Sequence, residues 1–573
     1  MASTTTWLPL LLFPLLFMSA ILLFTHLKFP RFLFIPSSDG VLAVVLTFIH
    51  IVLAWTVAVT LVAILPLDIY TALSQGVSDS SWLSGMWATT YWASQFMCFL
   101  SIPFHQGYIS SADFSAKNKA ITSLRENGMF YGITAVAGVV GLVAMILMNK
   151  VTVGALPGLC IGLSNFFGLF AGIVLMAYGL VEVPRSVWRD ADVSGHQKNV
   201  AKRLRHLQQS LDDSVTELRR SLCVVRAIDE RTSSRDDARP LLESIAKDVE
   251  EMLPRRPVAR EEDSAALDDE DLEQDDEASL AALRRRCRRA CQSYERARAQ
   301  YSRARSAARK AANRRASATG RDVMNEIVRP LVVRFAAILL AALSVSVVLA
   351  EATIATKRDP DLSVFSVLVH SAVESGGGAP AVQLLVLIPL AYICYCTNFT
   401  LFHLASFSFY HVVPGHTDAY SLLLTAALMC RFSAPLCYNF LNVLRIDKPT
   451  VFRHEMRSME KMPIVGSDMF QNIFPAFLLV FVIAVFLNVH KRIKLRFWDF
   501  TDDDDYDGEG EETALLGASE RTSADRQGDL EGADELEIEG GDGMWSSEPI
   551  LRTRDSRYRR ERERRRADRS GRV

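Results

Sequence analysis

Three ionisable residues, Arg431, His50 and Asp68, lie in or beside apolar runs that are long enough to cross a membrane. Arg431 lies near the middle of its run, His50 lies well inside another, and Asp68 follows Pro66 at the end of the run that contains His50. A charge inside lipid is costly and usually needs an internal partner. Two interpretations of Arg431 stay open. It lines a polar cavity that binds a ligand or pairs with a carboxylate, or it fixes helix packing through backbone carbonyls.

Patterns that indicate catalysis or a metal site are weak in this chain. The sequence contains no nucleotide-binding loop, zinc-protease helix or nucleophile elbow, so it predicts no catalytic residues, no cofactor and no enzymatic activity. One polar set has a spacing that metal ligands use: His403, His411, His416 and Asp418. Pro414 and Gly415 interrupt this set, and a short loop at the membrane surface explains it better than a metal. Cys287 and Cys291 lack a second pair of ligands, which argues against zinc.

Hydropathy shows which elements would position these residues. Of the 573 residues, 50% are hydrophobic and 22% are charged, and the two kinds are segregated into separate blocks. A helical span needs about 20 largely apolar residues. Nine runs qualify, at about 7–27, 41–66, 83–103, 129–148, 153–181, 328–350, 380–403, 419–444 and 472–489. The sequence therefore predicts an all-α, polytopic membrane protein with about nine transmembrane helices. The first run is interpreted as an uncleaved span rather than a signal peptide.

Lysine and arginine residues near the span ends predict the orientation, because they favour the cytoplasmic side. Such residues follow spans 1, 3 and 9: Lys28, Arg31, Lys117, Lys119, Arg125, Lys491, Arg492, Lys494 and Arg496. Placing them inside puts the N-terminus outside and the C-terminus in the cytosol. One loop conflicts with this orientation. It joins spans 8 and 9 and carries Arg445, Lys448, Arg453, Arg457 and Lys461.

A charged insertion at 182–326 separates spans 5 and 6, and we expect it to be a cytosolic arm. Two stretches in it have apolar residues at steps of three and four, which is typical of a helix with one apolar stripe. The first stripe is Leu204, Leu207, Leu211, Val215, Leu218, Leu222 and Val225. The second is Leu280, Leu283, Cys287, Ala290, Tyr294, Ala297, Tyr301, Ala304, Ala308 and Ala311. The 3.5-residue period of the second stripe predicts a left-handed coiled coil.

The two stripes could bury each other as an antiparallel hairpin, which would return the chain to the membrane. Two separate, partly stable helices are the alternative. The acidic run at 261–277 between them is predicted to be a disordered linker. The second helix is basic and leads into span 6, so it could contact anionic lipid. In a membrane protein its arginines do not indicate a nucleic-acid partner.

The arm divides the membrane domain into residues 1–181 and 327–496, and a tail at 497–573 follows. The tail is acidic first and then rich in arginine, and its low apolar content predicts disorder. It contains the stretch EETALL, in which Glu511 precedes Leu515 and Leu516. This pattern resembles an acidic dileucine sorting signal, which clathrin adaptors read. These three residues are therefore a candidate sorting signal.

The stretch YGLVEVPRSVW, Tyr178–Trp188, is where an apolar run ends in charged residues. Here the sequence resembles the limb-region, or LMBR-domain, membrane protein family. Four further stretches point to its branch of the second LMBR-domain-containing protein: ILPLDIY (Ile64–Tyr70), YWASQFMCFLSIPFHQGY (Tyr91–Tyr108), FHLASFSFYHVVPGHTD (Phe402–Asp418) and MCRFSAPLCYNFL (Met429–Leu441). They lie in order along the chain, so the resemblance covers most of residues 1–496.

The resemblance implies nine spans, an N-terminus outside and a cytosolic coiled-coil segment between spans 5 and 6. The branch is linked to signalling by heptahelical receptors, particularly β-adrenergic ones, and other branches act in lipocalin uptake and in moving cobalamin out of the lysosome. Two functions are therefore considered. In the first, the protein is a membrane regulator or receptor-like scaffold in receptor signalling or trafficking that recruits partners through the arm.

In the second, it is a transporter or uptake receptor for a small ligand, cobalamin-like or delivered by a lipocalin. The sequence contains no internal repeat of the kind that marks alternating-access transporters, which favours the scaffold. The predicted location is the plasma membrane or an endosomal or lysosomal membrane.

Overall fold

The structure, a computed structural model, describes residues 40–74, 81–147, 156–191, 193–233, 236, 238–253, 256–257, 276–316, 328–354, 361–404, 413, 416–446, 450–455, 476–489 and 545–546. Predicted span 1, nearly all of the acidic linker and nearly all of the tail lie outside these residues. The candidate sorting signal, Glu511, Leu515 and Leu516, lies outside them as well. The described chain is almost entirely helical, which confirms the all-α fold class.

In chain order the helices are α1 (Gly40–Ser74), α2 (Ser81–Phe96), α3 (Ile102–Ser110), α4 (Ala116–Leu147), α5 (Leu156–Asp190), α6 (Val193–Arg231), α7 (Arg239–Met252), α8 (Glu277–Ala316), α9 (Arg329–Ala352), α10 (Val364–Glu374), α11 (Ala379–Leu404), α12 (Ala419–Val443), α13 (Val451–Glu455) and α14 (Ala476–Phe486). A π-helical turn, Met97–Ser101, joins α2 to α3. Two short strands, β1 (Arg256–Pro257) and β2 (Trp545–Ser546), pair antiparallel and so join the arm to the tail.

Within the described residues, five helices are long and apolar enough to cross a membrane. They are Ala43–Leu73, Phe167–Arg189, Arg329–Ala352, Ala379–His403 and Ala419–Val443, which correspond to predicted spans 2, 5, 6, 7 and 8. The region of predicted span 3 is divided by the π-helical turn, and spans 4 and 9 fall in α4 and α14. The chain is therefore a multi-pass membrane protein, and the total of nine spans stays a prediction.

Helix α5 lies at the centre of the bundle, where it packs against α9, α11, α12 and α14. Gly179 permits its contact with α11, because a Cβ atom there would lie 2.2 Å from the carbonyl oxygen of Cys396. The helix continues through Pro184 to Asp190, beyond the predicted start of the arm at residue 182. Its last turns carry Glu182, which forms ion pairs with Arg185 and Arg189.

Within its described residues the arm contains α6, α7 and α8, that is, one helix more than the two that the stripes predicted. Residues of both stripes are buried in one cluster together with α7, whose buried residues are Leu242, Ile245, Ala246, Val249 and Met252. Helix α7 was missed because it is short and follows a polar stretch. Residues of both stripes thus share one core, and the coiled coil and the antiparallel hairpin stay predictions.

Helix α12 separates two faces of the membrane domain, because its 25 residues span about 37 Å at 1.5 Å per residue. At its first end, Asp418 contacts the arm through Arg296. Just beyond its other end, Arg445 donates to Asp361 in the connection between α9 and α10, with 2.7 Å between Nη1 and Oδ1. The loop after α12 therefore lies on the face opposite to the arm, where acidic Asp361 offsets one of its basic residues. Which face is cytosolic stays a prediction.

Candidate functional site

Two arginines of α8 attach the arm to the connection between α3 and α4. The last carbonyl groups of a helix have no partner inside it and carry partial negative charge. After α3, the Ser111 oxygen accepts from Arg285 Nη2 at 2.8 Å, and the oxygens of Ala112 and Asp113 accept from Arg284 Nη1 at 3.3 and 3.1 Å. Ala112 adopts a φ of +57°, which turns the chain at this point. The two arginines thus provide donors for the carbonyl groups that follow α3, where Ser111 and Ala112 are buried.

The same Arg284 belongs to a buried ion cluster inside the arm. The Oδ2 atom of Asp248, on α7, lies 2.8 Å from Arg284 Nε and 2.7 Å from Arg288 Nη2. The three side chains are 1%, 2% and 9% exposed, respectively. Removing one partner of such a buried pair leaves an uncompensated charge, which is strongly destabilising. Asp248 therefore holds α7 to α8 while Arg284 holds α8 to the membrane domain.

A second attachment joins α8 to the start of α12. The Asp418 carboxylate caps α12 by accepting from the Ser421 N–H at 3.0 Å. It also accepts from Arg296 Nη1 at 2.8 Å. Beside this contact, His416 Nδ1 lies 3.8 Å from Oε2 of Glu295, the neighbour of Arg296 in the sequence. These contacts fasten the arm to a connection that is more than 100 residues distant in the sequence.

The predicted polar set is thus divided among structural contacts. Asp418 and His416 face α8, whereas His403 stacks on Tyr178 and Phe399 at centroid distances of 6.0 and 5.7 Å. His411 lies outside the described residues. Over the part of the chain that the structure describes, no group of three His, Cys, Asp or Glu side chains could hold a metal ion.

Between these two attachments lies a cavity of about 1070 Å³. One wall is α8, and the others are the end of α3, the first half of α4 and the first turn of α12. Its lining carries five arginines against three carboxylates, an excess of two positive charges: Arg285, Arg286, Arg288, Arg289 and Arg296 against Glu126, Glu217 and Asp418. The cavity is therefore a basic compartment between the arm and the membrane domain.

Arg431 is held between two aromatic rings. Its guanidinium carbon lies 4.9 Å from the ring centroid of Phe99 and 4.6 Å from that of Phe167, which are cation–π distances. Its Nε is buried and has no hydrogen-bond partner among the described residues, where Arg431 also forms no ion pair. It does not line the basic cavity. The carboxylate and carbonyl partners considered from the sequence are thus absent from the described chain, and aromatic rings take their place.

His50 adjoins the same π-helical turn as Arg431. Its Nε2 is 2.8 Å from the Ser101 hydroxyl, and its ring stacks on that of His105 with 4.7 Å between centroids. His105 Nε2 in turn lies 2.8 Å from the Thr47 hydroxyl. A π-helical turn inside a helix often occurs at a functional site. The structure therefore places two of the three predicted residues, Arg431 and His50, beside the π-helical turn.

Asp68 lies apart from them, eighteen residues or about 27 Å along α1 from His50. Its carboxylate is buried and accepts from Trp87 Nε1 at 3.1 Å and from the N–H groups of Val451 and Phe452 at 2.9 and 2.8 Å. These are the first N–H groups of α13, which have no partner inside that helix. Asp68 thus anchors α13 to α1 and α2.

Two polar pairs in the structure were missed in the sequence. Arg284 and Arg288 are four residues apart, a spacing that places them on one face of α8, but nothing in the sequence identified Asp248 as their shared partner. Glu351, near the end of predicted span 6, is buried and accepts from Asn439 of α12. A lone carboxylate at the end of an apolar run was the available signal for Glu351.

Long apolar helices, polar groups buried between them and a helical arm docked on one face define an α-helical, multi-pass membrane protein. The family described as LMBR1-like membrane protein matches residues 6–490, which is most of the chain. The chain belongs to this family. No solved structure matches it.

Among its relatives, a Xenopus laevis protein named "G-protein coupled receptor-associated protein LMBRD2" is 27% identical over 73% of this chain and 64% of its own length. The Homo sapiens protein of the same name is 25% identical over 80% of this chain and 77% of its own length. The "LMBR1 domain-containing protein 2 homolog A" of Dictyostelium discoideum is 28% identical over 72% of this chain and 58% of its own length. The chain thus spans about two thirds of the length of these relatives.

Proposed function

We propose that the protein is a membrane regulator or receptor-like scaffold in signalling by G-protein-coupled receptors, and that its arm recruits the partners. The observation that carries this proposal is the construction of the arm. It has a buried core of its own, and it is attached to the membrane domain at Ser111–Asp113 and at Asp418. A partner on α6, α7 or α8 would therefore be held at a fixed place beside the bundle.

Two further features support this proposal. The printed names of the frog and human relatives associate them with G-protein-coupled receptors. In the described residues of α6, α7 and α8 no large hydrophobic side chain is exposed, so the surface of these helices suits contact with a water-soluble partner. The proposed orientation places the arm and tail in the cytosol and the N-terminus outside, and the proposal includes no enzymatic activity.

The test is proximity labelling from a tag on the C-terminal tail, compared between the full chain and a variant that lacks residues 197–320. We expect receptors or signalling proteins to be labelled in the first and lost in the second. The surface level of both proteins is the control, because a variant that fails to reach the membrane would lose all neighbours. An unchanged set of labelled proteins at equal surface level would contradict the proposal.

The trafficking side of the proposal rests on Glu511, Leu515 and Leu516 as a signal for clathrin adaptors. Replacing Leu515 and Leu516 with alanine should raise the surface level of the protein, because internalisation would slow. The matched control replaces Leu530 and Leu536, which lie in the same tail without an adjacent leucine. An equal distribution of both variants between surface and interior would exclude the signal.

A transporter or uptake receptor for a small ligand is the second candidate. It is favoured by Arg431, a cation in the middle of α12 whose Nε has no described partner. Replacing Arg431 with alanine should then abolish ligand binding or signalling at an unchanged surface level. Loss of the protein itself would instead indicate that the stack between Phe99 and Phe167 serves packing.

A further inference from the structure

We propose that the basic cavity binds the phosphorylated headgroup of an anionic membrane lipid, with Arg285 and Arg289 as its main ligands. This inference is independent of which protein the arm recruits. It rests on the charge of the cavity, its level relative to the bilayer and the polar groups in its walls that lack partners.

The charge of the lining fits a phosphomonoester. Five arginines face three carboxylates, so two positive charges are uncompensated within the lining. Behind the wall, Asp248 is shared by Arg284 and Arg288 and adds no free negative charge. A phosphomonoester carries about −1.5 to −2 charges at pH 7. The guanidinium fork donates two parallel hydrogen bonds to phosphate oxygens, which favours arginine at such sites.

The cavity lies where the membrane domain changes from polar to apolar. Glu126 and Asn127 of α4 line it. Before them, exposed Ile121 and Leu124 are mixed with charged residues, whereas from Met129 onward α4 exposes apolar side chains such as Phe130 and Ile133 and carries no charge. A surface of this kind must face lipid tails, so the headgroup layer begins at the level of Glu126 and Asn127. Tyr420, exposed at the start of α12, lines the same cavity, and tyrosine is enriched at this boundary.

Several groups in the wall are available to a ligand. Arg289 is exposed and forms no ion pair or hydrogen bond with any described residue. Arg285 donates Nη2 to Ser111 and its Nη1 lies 3.9 Å from Glu126 Oε1, but its buried Nε has no partner in the described chain. Gln292 and Ser293 line the cavity one turn further along α8 and could bond the hydroxyl groups of a sugar or polyol. The cavity volume of about 1070 Å³ lies just above the range of about 300–1,000 Å³ that is typical of ligand pockets.

The test uses the full-length protein in nanodiscs of phosphatidylcholine. One set contains a fluorescent bisphosphorylated phosphoinositide, and a second contains phosphatidylserine at matched charge. In a third, soluble inositol trisphosphate is added to phosphatidylcholine discs. The variant combines Arg285→Gln and Arg289→Gln. The matched control combines Arg305→Gln and Arg309→Gln, which changes the charge equally at the same four-residue spacing on α8, away from the cavity.

We expect the wild type to bind the phosphoinositide in preference to phosphatidylserine. The cavity variant should bind it about 30-fold more weakly, because each arginine near the surface contributes about 1 kcal/mol, and the control should change the affinity less than about twofold. Hydrogen exchange in α7 reports whether the arm stays folded. If the double variant loosens it, Arg289→Gln alone removes an exposed side chain with no described partner and should still weaken binding about fivefold.

Equal binding by the cavity and control variants would overturn the assignment of the site. Equal binding of phosphatidylserine would show general attraction to negative lipid and would overturn it as well. If soluble inositol trisphosphate bound as tightly as the lipid, the ligand would be a soluble phosphate compound, and the proposal of a membrane lipid would be overturned.

Discussion

The arm and the membrane bundle are both helical, but they separate polar from apolar residues in opposite ways. Over the described residues of α6, α7 and α8, no large hydrophobic side chain is exposed, and their apolar residues form a shared core. In α4 and α9, exposed positions are apolar over most of the helix length. The difference shows which solvent surrounds each region, since apolar surface of this extent is stable only against lipid.

The two regions also compensate buried charge differently. In the arm, Asp248 meets two guanidinium groups, so charge is matched by opposite charge. In the bundle, the buried carboxylates of Asp68 and Glu351 are held by N–H groups of the backbone, of Trp87 and of Asn439. Ion pairs occur there at helix ends, where Glu182 pairs with Arg185 and Arg445 pairs with Asp361. Neutral donors can stabilise a charge without adding a second one that must also be removed from water.

The largest effect is expected from breaking the ion cluster of the arm. Asp248→Asn leaves Arg284 and Arg288 without their counter-charge in a buried site, which should lower the unfolding free energy of the arm by about 3–5 kcal/mol. Hydrogen exchange of the α7 and α8 amides in the full-length protein measures this. The control Glu251→Gln alters an exposed pair with Lys247 and should cost less than about 1 kcal/mol. Equal protection in both variants would contradict the role of Asp248.

The second prediction concerns close helix packing in the bundle. In Gly179→Ala the new Cβ would lie 2.2 Å from the Cys396 oxygen, so α5 and α11 must separate, at a cost of about 1–3 kcal/mol. Thermal unfolding in detergent measures it. In the control Gly172→Ala the nearest atom, in Leu436, is 3.6 Å away, which is an ordinary contact. We expect this control to unfold near the wild-type temperature, and a similar loss in both would refute the argument from close approach.

A smaller effect is expected at the neutral donors of the bundle. Asp68→Asn places an amide NH₂ opposite an N–H group of α13, which should cost about 1–2 kcal/mol, as the loss of a helix cap does. Trp87→Phe removes only one of the three donors and should cost less. The two variants are compared by thermal unfolding and by proteolysis of the loop after α12. If Trp87→Phe were the more damaging, the packing of the indole on Phe452 would outweigh its hydrogen bond.

The smallest expected effect concerns the reactivity of a buried thiol, Cys287, and is measured in the folded protein. Burial raises the pKa of the Cys287 thiol to about 12. A raised pKa disfavours the reactive thiolate below that pH, so at pH 8 only about one thiol in ten thousand is ionised. We expect mass spectrometry to show slow alkylation of Cys287 in the native protein and fast alkylation after unfolding. In Asp248→Asn the rate of Cys287 alkylation should rise. An unchanged rate would show that the ion cluster does not stabilise the core around Cys287.

The sequence predicted many of the residue types in the candidate site but not the contacts between them. The sequence predicted a basic helix at the membrane surface that could contact anionic lipid, and α8 carries the basic residues of the cavity. It also predicted Arg431 and His50 as ionisable residues inside spans, and the structure places both at the π-helical turn. Neither the turn nor the aromatic partners of Arg431 had a signal, because both depend on contacts between helices.

The sequence by itself determined the five long apolar helices, the position of the arm and the two stripes that its core buries. These are local properties, since the length of an apolar run and its period can be counted along the chain. Only the tertiary structure decided that Arg284 reaches the end of α3, that Arg296 reaches Asp418 and that Asp68 anchors α13. Each of these contacts joins residues more than 100 positions apart. Such partners depend on which helices pack against each other, and no local pattern in a single sequence indicates this packing.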